Sequence, residues 1–426
     1  MNGFSAAASV LSAISAIMGF LVIYKTALAV LGFITTKKYP AAKHMHKFAV
    51  LIAARNEERV IGQLIDSIWA QDYDMSRVTV FVAADNCTDD TAKRAREKGA
   101  VCYERFDDTR KTKGYALEFL VDAIFRDYGY EAFEGFFVFD ADNILKRDYI
   151  SRMNEAFDAG EKVITSYRNT KNFTDNWISA SYALHWLRTA RTEHRSRSVL
   201  GLSARVQGTG FLFARELVKD GWHYTSFTED RAFSADAVVN GYHIAYNDMA
   251  QFYDEQPVDL KIVFRQRIRW AKGHLQSFTE SGGKLFLGIF KKRGHVAYDM
   301  LWTVVPQGLI SLFIRISVLI LSICAIRMDT GAFSGTGKLF SDYMLSFWSS
   351  WFGNAVTVLA VLVFESRRMQ RMPFYRQVFY CLLFTLFDLI GLISTVIALF
   401  MKVEWKPIPH TAEASLTDME ESIKRE

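Results

Sequence analysis

Apolar and charged residues are segregated along this chain, and that segregation constrains the fold more than any single motif. One apolar run lies near the start, at residues 6–33, and three follow residue 300, at 301–326, 344–364 and 378–401. Between them, residues 46–298 alternate strand-length apolar runs with amphipathic stretches, as a folded α/β domain does. Half of the residues are hydrophobic, yet 23% are charged, so neither a bare membrane bundle nor a purely soluble enzyme accommodates the composition. The expected plan is an N-terminal transmembrane helix (1–36), a cytosolic domain (46–298), a C-terminal membrane region (300–402) and a cytosolic tail (403–426).

The first run is long enough to cross roughly 30 Å of hydrocarbon, with Lys25 able to snorkel to an interface. Lys37, Lys38, Lys43 and Lys47 follow it and place the next segment in the cytosol. The last run holds Asp388 and Gly391 near its middle; Arg367, Arg368 and Arg371 precede it, and Lys402 and Lys406 follow. A single crossing would put those lysines outside, so the charge pattern favours a bent or re-entrant segment with both ends cytosolic. The acidic tail after Thr411 reads as disordered. The expected location is the cytoplasmic membrane, multi-pass, with the lipid bilayer as a partner. A net charge of +5 without a basic, aromatic-interleaved stripe excludes nucleic acid as one. Cys87, Cys102, Cys324 and Cys381 lie too far apart for a metal or redox pair, which implies a reduced compartment. No cleaved signal peptide is expected at the N-terminus.

Within the domain, 48–54, 78–84, 100–104 and 136–139 read as strands; 59–70, 90–98 and 114–125 read as helices. Continuous apolar strands alternating with helices predict a Rossmann-like, mostly parallel sheet covered on both faces. Ligands of such sheets bind beyond the strands' carboxyl ends, where Arg55-Asn56-Glu57, Asp85-Asn86 and Asp140-Ala141-Asp142 fall. Two carboxylates two apart at a strand end, Asp140 and Asp142, suit one hard cation, Mg²⁺ or Mn²⁺, that neutralises a departing diphosphate. A solvated acidic turn is the plain alternative. Asp85 suits a hydrogen bond to uracil or ribose, and Lys113, at a helix start, suits a diphosphate. Taken alone, the latter is better explained as an ordinary exposed lysine. Thr228-Glu229-Asp230 has two readings: Asp230 as the base that deprotonates an acceptor hydroxyl, or Thr228 as a helix cap with acidic residues in the first turn. In Arg265-Gln266-Arg267-Ile268-Arg269-Trp270, the helical spacing puts Gln266, Arg269 and Trp270 on one face. Arg269 can hold a diphosphate bidentately and Trp270 can pack against a sugar ring. An amphipathic helix at the membrane surface would also carry Arg and Trp, but without requiring Gln266 in register.

Together, Asp85, Asp140-Ala141-Asp142, Thr228-Glu229-Asp230 and Gln266-Arg267-Ile268-Arg269-Trp270 resemble, in order and spacing, the motifs of the family 2 processive glycosyltransferases. That family includes the synthases of cellulose, chitin, hyaluronan and poly-N-acetylglucosamine. The resemblance implies a GT-A fold flanked by membrane helices, with interfacial helices at about 175–197 and 258–295. It implies that Ala53, Arg55, Glu57, Asp85, Lys113, Asp140 and Arg269 bind the nucleotide-sugar and that Asp140 and Asp142 hold the metal. Asp230, with Glu229, would be catalytic; Gly208, Thr209, Gly210, Gln266 and Trp270 would bind the acceptor. In size and plan the chain is similar to the bacterial poly-β-1,6-N-acetylglucosamine synthases, departing from them in the basic segment 402–410.

The implied activity is inverting, processive transfer from a UDP-sugar, UDP-GlcNAc or UDP-glucose, to the non-reducing end of a β-linked polysaccharide at the inner membrane face. Room is left for an accessory membrane subunit. Single transfer to a membrane lipid needs the same catalytic residues and stays open beside it. An inactive scaffold is disfavoured because every candidate catalytic position holds a competent residue, and a transporter is disfavoured by the size of the soluble domain.

Overall fold

The computed structural model describes residues 3–330, 336–404, 410, 412 and 414–424. Its centre is one eight-stranded sheet made of β1 (Phe48–Ala54), β2 (Val78–Asp85), β3 (Val101–Arg105), β4 (Gly135–Asp140), β5 (Ile144–Leu145), β6 (Val163–Thr170), β7 (Phe211–Ala214) and β8 (Ile244–Asp254). The strand order is β3-β2-β1-β4-β7-β6-β8-β5. β3, β2, β1 and β4 are mutually parallel, as the apolar runs predict. β7 is antiparallel to both β4 and β6, and β8 runs parallel to β6.

Alternation along each strand builds two cores. Ala49, Leu51, Phe81, Phe136 and Val138 point to one face, where helix Lys113–Tyr128 covers them with Leu117, Leu120 and Ile124. Phe48, Val50, Ile52, Val80 and Phe137 point to the other, under helices Ile61–Trp69 and Tyr149–Asp158. The antiparallel half is not visible as apolar runs because β8 carries buried polar residues, Asn247, Asp248 and Asp254, which are satisfied by ion pairs and hydrogen bonds.

Four helices or helix pairs among the described residues are long and apolar enough to cross a membrane: Gly3–Ile34, Gln307–Met328, Phe340–Arg368 and Phe374–Phe400. Helix Trp177–Thr189, prolonged through a π-turn at Ala190–His194, joins them to the domain through buried charges. Arg191 pairs with Glu365, and Arg195 bridges Asp248 at 2.7 Å and Glu365 at 3.1 Å. Arg197 pairs with Asp299 at 2.7 Å.

The last apolar run corrects part of one expectation. Phe374–Phe400 is one unbroken helix rather than a bent segment. Both of its ends nevertheless lie on the α/β domain. Just before it, the Arg368 carbonyl accepts from Asn169 at 2.6 Å and Gln370 donates to the Lys171 carbonyl at 2.7 Å. At its far end Lys272 donates to the Ala398 carbonyl at 3.1 Å. Between these points Asp388 pairs with Arg188 at 2.8 Å, and Phe387 packs under Arg267 at 3.9 Å. A second correction concerns the acidic tail, which forms helix Leu416–Lys424 rather than a disordered end. Leu416 and Met419 are buried there against Ile144 and Tyr253, which supplies the burial that composition alone did not promise.

Candidate active site

β1, β2 and β4 end side by side, and the residues that follow them open into one cavity. Asn56 and Asn86 adopt left-handed backbone (φ 57° and 51°), a conformation asparagine tolerates, so the chain turns sharply after β1 and β2. Asn56 locks its turn by accepting from the Thr88 amide at 2.8 Å, and Asn86 accepts from the Asp107 amide at 2.9 Å. Asp85, at the tip of β2, is buried and pairs with Arg105 at 2.5 Å.

Lys113 opens its helix and reaches Asp140, and it also donates to the Gly208 carbonyl at 2.8 Å. Burial works against its charge, but Asp140 and Glu229 outweigh that and raise its pKa. Asp142 is buried and accepts from the Glu255 amide at 2.8 Å. Burial opposes its ionisation as well, yet His410, Lys171 and that amide hold it below the usual carboxylate range.

Thr228 stands at the N-cap with Glu229 and Asp230 in the first turn, as the capping reading has it, but its hydroxyl makes no cap bond and has no hydrogen-bond partner among the described residues. The reason is packing: helix Leu260–Gly288 presses Gly273 onto Thr228, where an added Cβ would sit 2.4 Å from the hydroxyl. Glu229 and Asp230 both face the cavity. Burial lifts Glu229 to about 7, with Lys113 opposing and Asp230 reinforcing. Asp230 has no hydrogen bond to its carboxylate among the described residues, and that leaves it open to an incoming hydroxyl.

From helix Leu260–Gly288 come Gln266, Arg269 and Trp270, all on the cavity wall. Gln266 accepts from the Tyr182 hydroxyl at 2.5 Å, and Trp270 packs edge-on between Tyr182 and Trp186 at 5.9 and 5.8 Å. Arg269 donates to the Phe227 carbonyl at 3.4 Å; burial lowers its pKa, partly offset by Glu229, Asp140 and Asp230.

Ala53, Arg55, Glu57 and Gly208 also line the cavity. Glu57, however, turns its carboxylate to His410. Thr209 and Gly210 are not on the wall. Thr209 is buried, accepting from the Asp140 amide at 2.9 Å and bonding Asn143, so it ties the acidic turn to the loop before β7. Gly210 (φ 64°) packs on Phe252, where an added Cβ would lie 2.1 Å from the ring.

Sequence reasoning missed Arg168, Arg205, Arg231 and His410, all on this wall. Arg168 stacks on Trp186 at 4.0 Å and pairs with Asp254. Arg231 directly follows Asp230, so its position was readable. His410 lies 353 residues from its partner and carried no signal.

No group of three or more metal-ligating side chains occurs among the described residues. Two carboxylates, Asp140 and Asp142, do face the cavity, which fits a hard cation that completes its shell with a substrate diphosphate.

Residues 46–273 match the family model described as glycosyltransferase like family 2. A probable glycosyltransferase, YdaM, of Bacillus subtilis is 24% identical over 291 residues, covering 61% of this chain and 62% of that one. Poly-β-1,6-N-acetyl-D-glucosamine synthase of Staphylococcus aureus is 24% identical over 230 residues, covering 52% and 53%. The chain thus spans between half and two thirds of the length of these relatives. Among solved structures, the mannosyltransferase PcManGT of Pyrobaculum calidifontis, determined with GDP-Man and Mn²⁺, superposes with a TM-score of 0.57 at 17% identity, over 84% of this chain and 98% of that one. That likeness establishes a GT-A-type fold. With its family model covering more than half of its length, this chain is a member of glycosyltransferase family 2.

Proposed function

We propose that the chain transfers a sugar, with inversion, from a UDP-sugar to the non-reducing end of a β-linked glycan at the inner membrane face, and does so processively. The observation that carries this reading is the convergence of Asp85, Asp140, Asp230, Arg269 and Trp270 on one cavity from four separate chain segments. In this reading Asp85 holds the uridine, and Lys113 and Arg269 meet the diphosphate. Bound Mg²⁺ or Mn²⁺, held by Asp140 and Asp142, would neutralise charge on the leaving diphosphate. Asp230 takes the proton of the acceptor hydroxyl as that oxygen bonds to the anomeric carbon. The bond from that carbon to the phosphate oxygen breaks on the opposite face, and its electron pair leaves with the diphosphate, where Arg269 and Lys113 receive the charge. Trp270, flanked by Trp186, offers the apolar wall on which the terminal sugar ring rests. GlcNAc and glucose are the donor sugars we favour.

The topology that supports this is three crossings, Gly3–Ile34, Gln307–Met328 and Phe340–Arg368, with Phe374–Phe400 lying along the interfacial helices on the cytosolic side. Contact of both its ends, and of the tail beyond it, with the catalytic domain supports an even number of crossings after that domain.

A second reading, single transfer to a membrane lipid, is favoured by Arg205 and Arg231. Both line the cavity beside Asp230, and Arg231 has no hydrogen-bonded partner among the described residues. Burial and the neighbouring Arg205 lower Arg231 to about 10, a strain that an anionic headgroup would relieve. Purified protein in nanodiscs, given radiolabelled UDP-GlcNAc or UDP-glucose with manganese, separates the readings by gel filtration of the product. Long chains support the first, and a lipid-linked mono- or disaccharide supports the second.

A further inference from the structure

We propose that the linker between helices Phe340–Arg368 and Phe374–Phe400 is a seat for the headgroup of an anionic phospholipid, and that the bound lipid pins the α/β domain to the membrane surface. The proposal is independent of the donor and acceptor readings above and needs only that Phe340–Arg368 crosses the bilayer.

Residues 366–373 hold three arginines, and the structure divides them. Arg368 turns inward, pairing with Asp248 at 3.1 Å and lying 4.6 Å from the centre of the Tyr167 ring. Arg367 and Arg371 are exposed and have no hydrogen-bond or ion-pair partner among the described residues. The acid nearest to them in sequence, Glu365, is buried against Arg191 and Arg195 and cannot neutralise them.

Both free arginines border a second cavity, of about 420 Å³, within the size range of small-molecule sites. Gln370 and Gln377 share its wall, Leu362 and Phe173 are buried beneath it, and no acidic side chain among the described residues lines it. Phe374, Tyr375 and Phe379 follow at the start of the next apolar helix and are exposed. Guanidinium groups beside exposed aromatic rings at the end of a membrane crossing fit one ligand chemistry: the phosphate accepts the N–H donors, and the acyl chains lie along the rings. The seat is also fixed to the domain, because Asn169 donates to the Arg368 carbonyl at 2.6 Å and Gln370 to the Lys171 carbonyl at 2.7 Å. A headgroup held by Arg367 and Arg371 therefore anchors β6 and the sheet behind it rather than a free loop.

The test is native mass spectrometry of the full chain released from nanodiscs made of equal parts phosphatidylglycerol and phosphatidylcholine, which counts the lipids each molecule retains. The unaltered chain should retain phosphatidylglycerol in preference to phosphatidylcholine. The double variant Arg367→Ala/Arg371→Ala should retain it tenfold less or lower, and Arg367→Lys/Arg371→Lys should keep most of it. Lys291→Ala/Lys292→Ala, which removes the same charge from another exposed pair, should leave retention unchanged. Thermal unfolding checks that each variant is folded. Equal retention of the two lipids by the unaltered chain overturns the proposal without recourse to any variant. Full retention by the arginine-to-alanine pair overturns it as well, and so does an equal loss in the lysine pair, which would mark attraction to charge alone. Displacement of the lipid by soluble glycerol phosphate would assign the seat to a free phosphate and overturn the lipid reading.

Discussion

Asp230 and Glu229 are neighbours in sequence but differ in their surroundings, and the difference supports the proposal of Asp230 as the base. Asp230 has an unengaged carboxylate on the cavity wall, whereas Glu229 is buried beside Lys113 and lifted to about 7. Asp230→Asn should therefore lower kcat by about 10²-fold or more while leaving UDP affinity within about twofold. Steady-state turnover beside UDP titration checks this. Glu229 should show in stability. Its folded pKa lies above the ordinary unfolded value near ~4.3, so its contribution is fully present below about pH 4 and is lost as pH rises through about 7. Asp254, lifted by burial to about 6, has the same sign. Melting temperature measured from pH 4 to 8 should fall less steeply in Glu229→Gln than in the unaltered chain; an unchanged slope would contradict the assignment. At this scale the sequence was legible where chemistry repeats in short motifs, as in Asp140-Ala141-Asp142. It was illegible where a residue meets a distant partner, as His410 does Glu57. The family resemblance put Thr209 and Gly210 with Gly208 in the acceptor site; in the structure Thr209 is buried against Asn143 and Gly210 packs on Phe252.

Helix Leu260–Gly288 forms one wall of the cavity, since one of its faces carries Gln266, Arg269 and Trp270 and its Gly273 abuts Thr228. Gly273→Val should push this helix away from Glu229 and Asp230, lowering kcat by roughly 10²-fold, the scale of a ~1 Å displacement in a catalytic site. Gly210→Ala acts differently. Its positive φ and the Phe252 ring leave no room, so about 1–3 kcal/mol of stability should be lost, visible as a lower melting temperature. Elements with a strong period were readable: the four parallel strands and three helices fall within a few residues of expectation. β7 and β8 were not, because β7 has only four residues and β8 is filled with buried polar groups paired across the fold. The helix Phe374–Phe400 has the length and hydropathy of a crossing. Its placement is set by Lys272, Arg188 and Arg267, none of which is adjacent to it in sequence.

Across the whole molecule, a buried charge cluster holds the catalytic domain against helix Phe340–Arg368: Glu365 pairs with Arg191 and Arg195, and Arg195 pairs in turn with Asp248. Removing one partner of such a set leaves an uncompensated buried charge, so Glu365→Ala should cost about 3–5 kcal/mol, enough to abolish a measurable melting transition. The proposed topology makes its own forecast. In a background without the four native cysteines, a cysteine at Val403 should react with an impermeant maleimide from the same membrane side as one at Asp108. Reaction from opposite sides would restore Phe374–Phe400 as a crossing. The reading as a whole depends on a donor pocket whose base is Asp230. It is tested most directly by comparing UDP release from UDP-GlcNAc and UDP-glucose, in nanodiscs with manganese, by the unaltered chain and Asp230→Asn. The expected result is turnover by the unaltered chain and retained UDP binding with turnover lost in the variant; equal turnover by both, or by neither, would contradict the account.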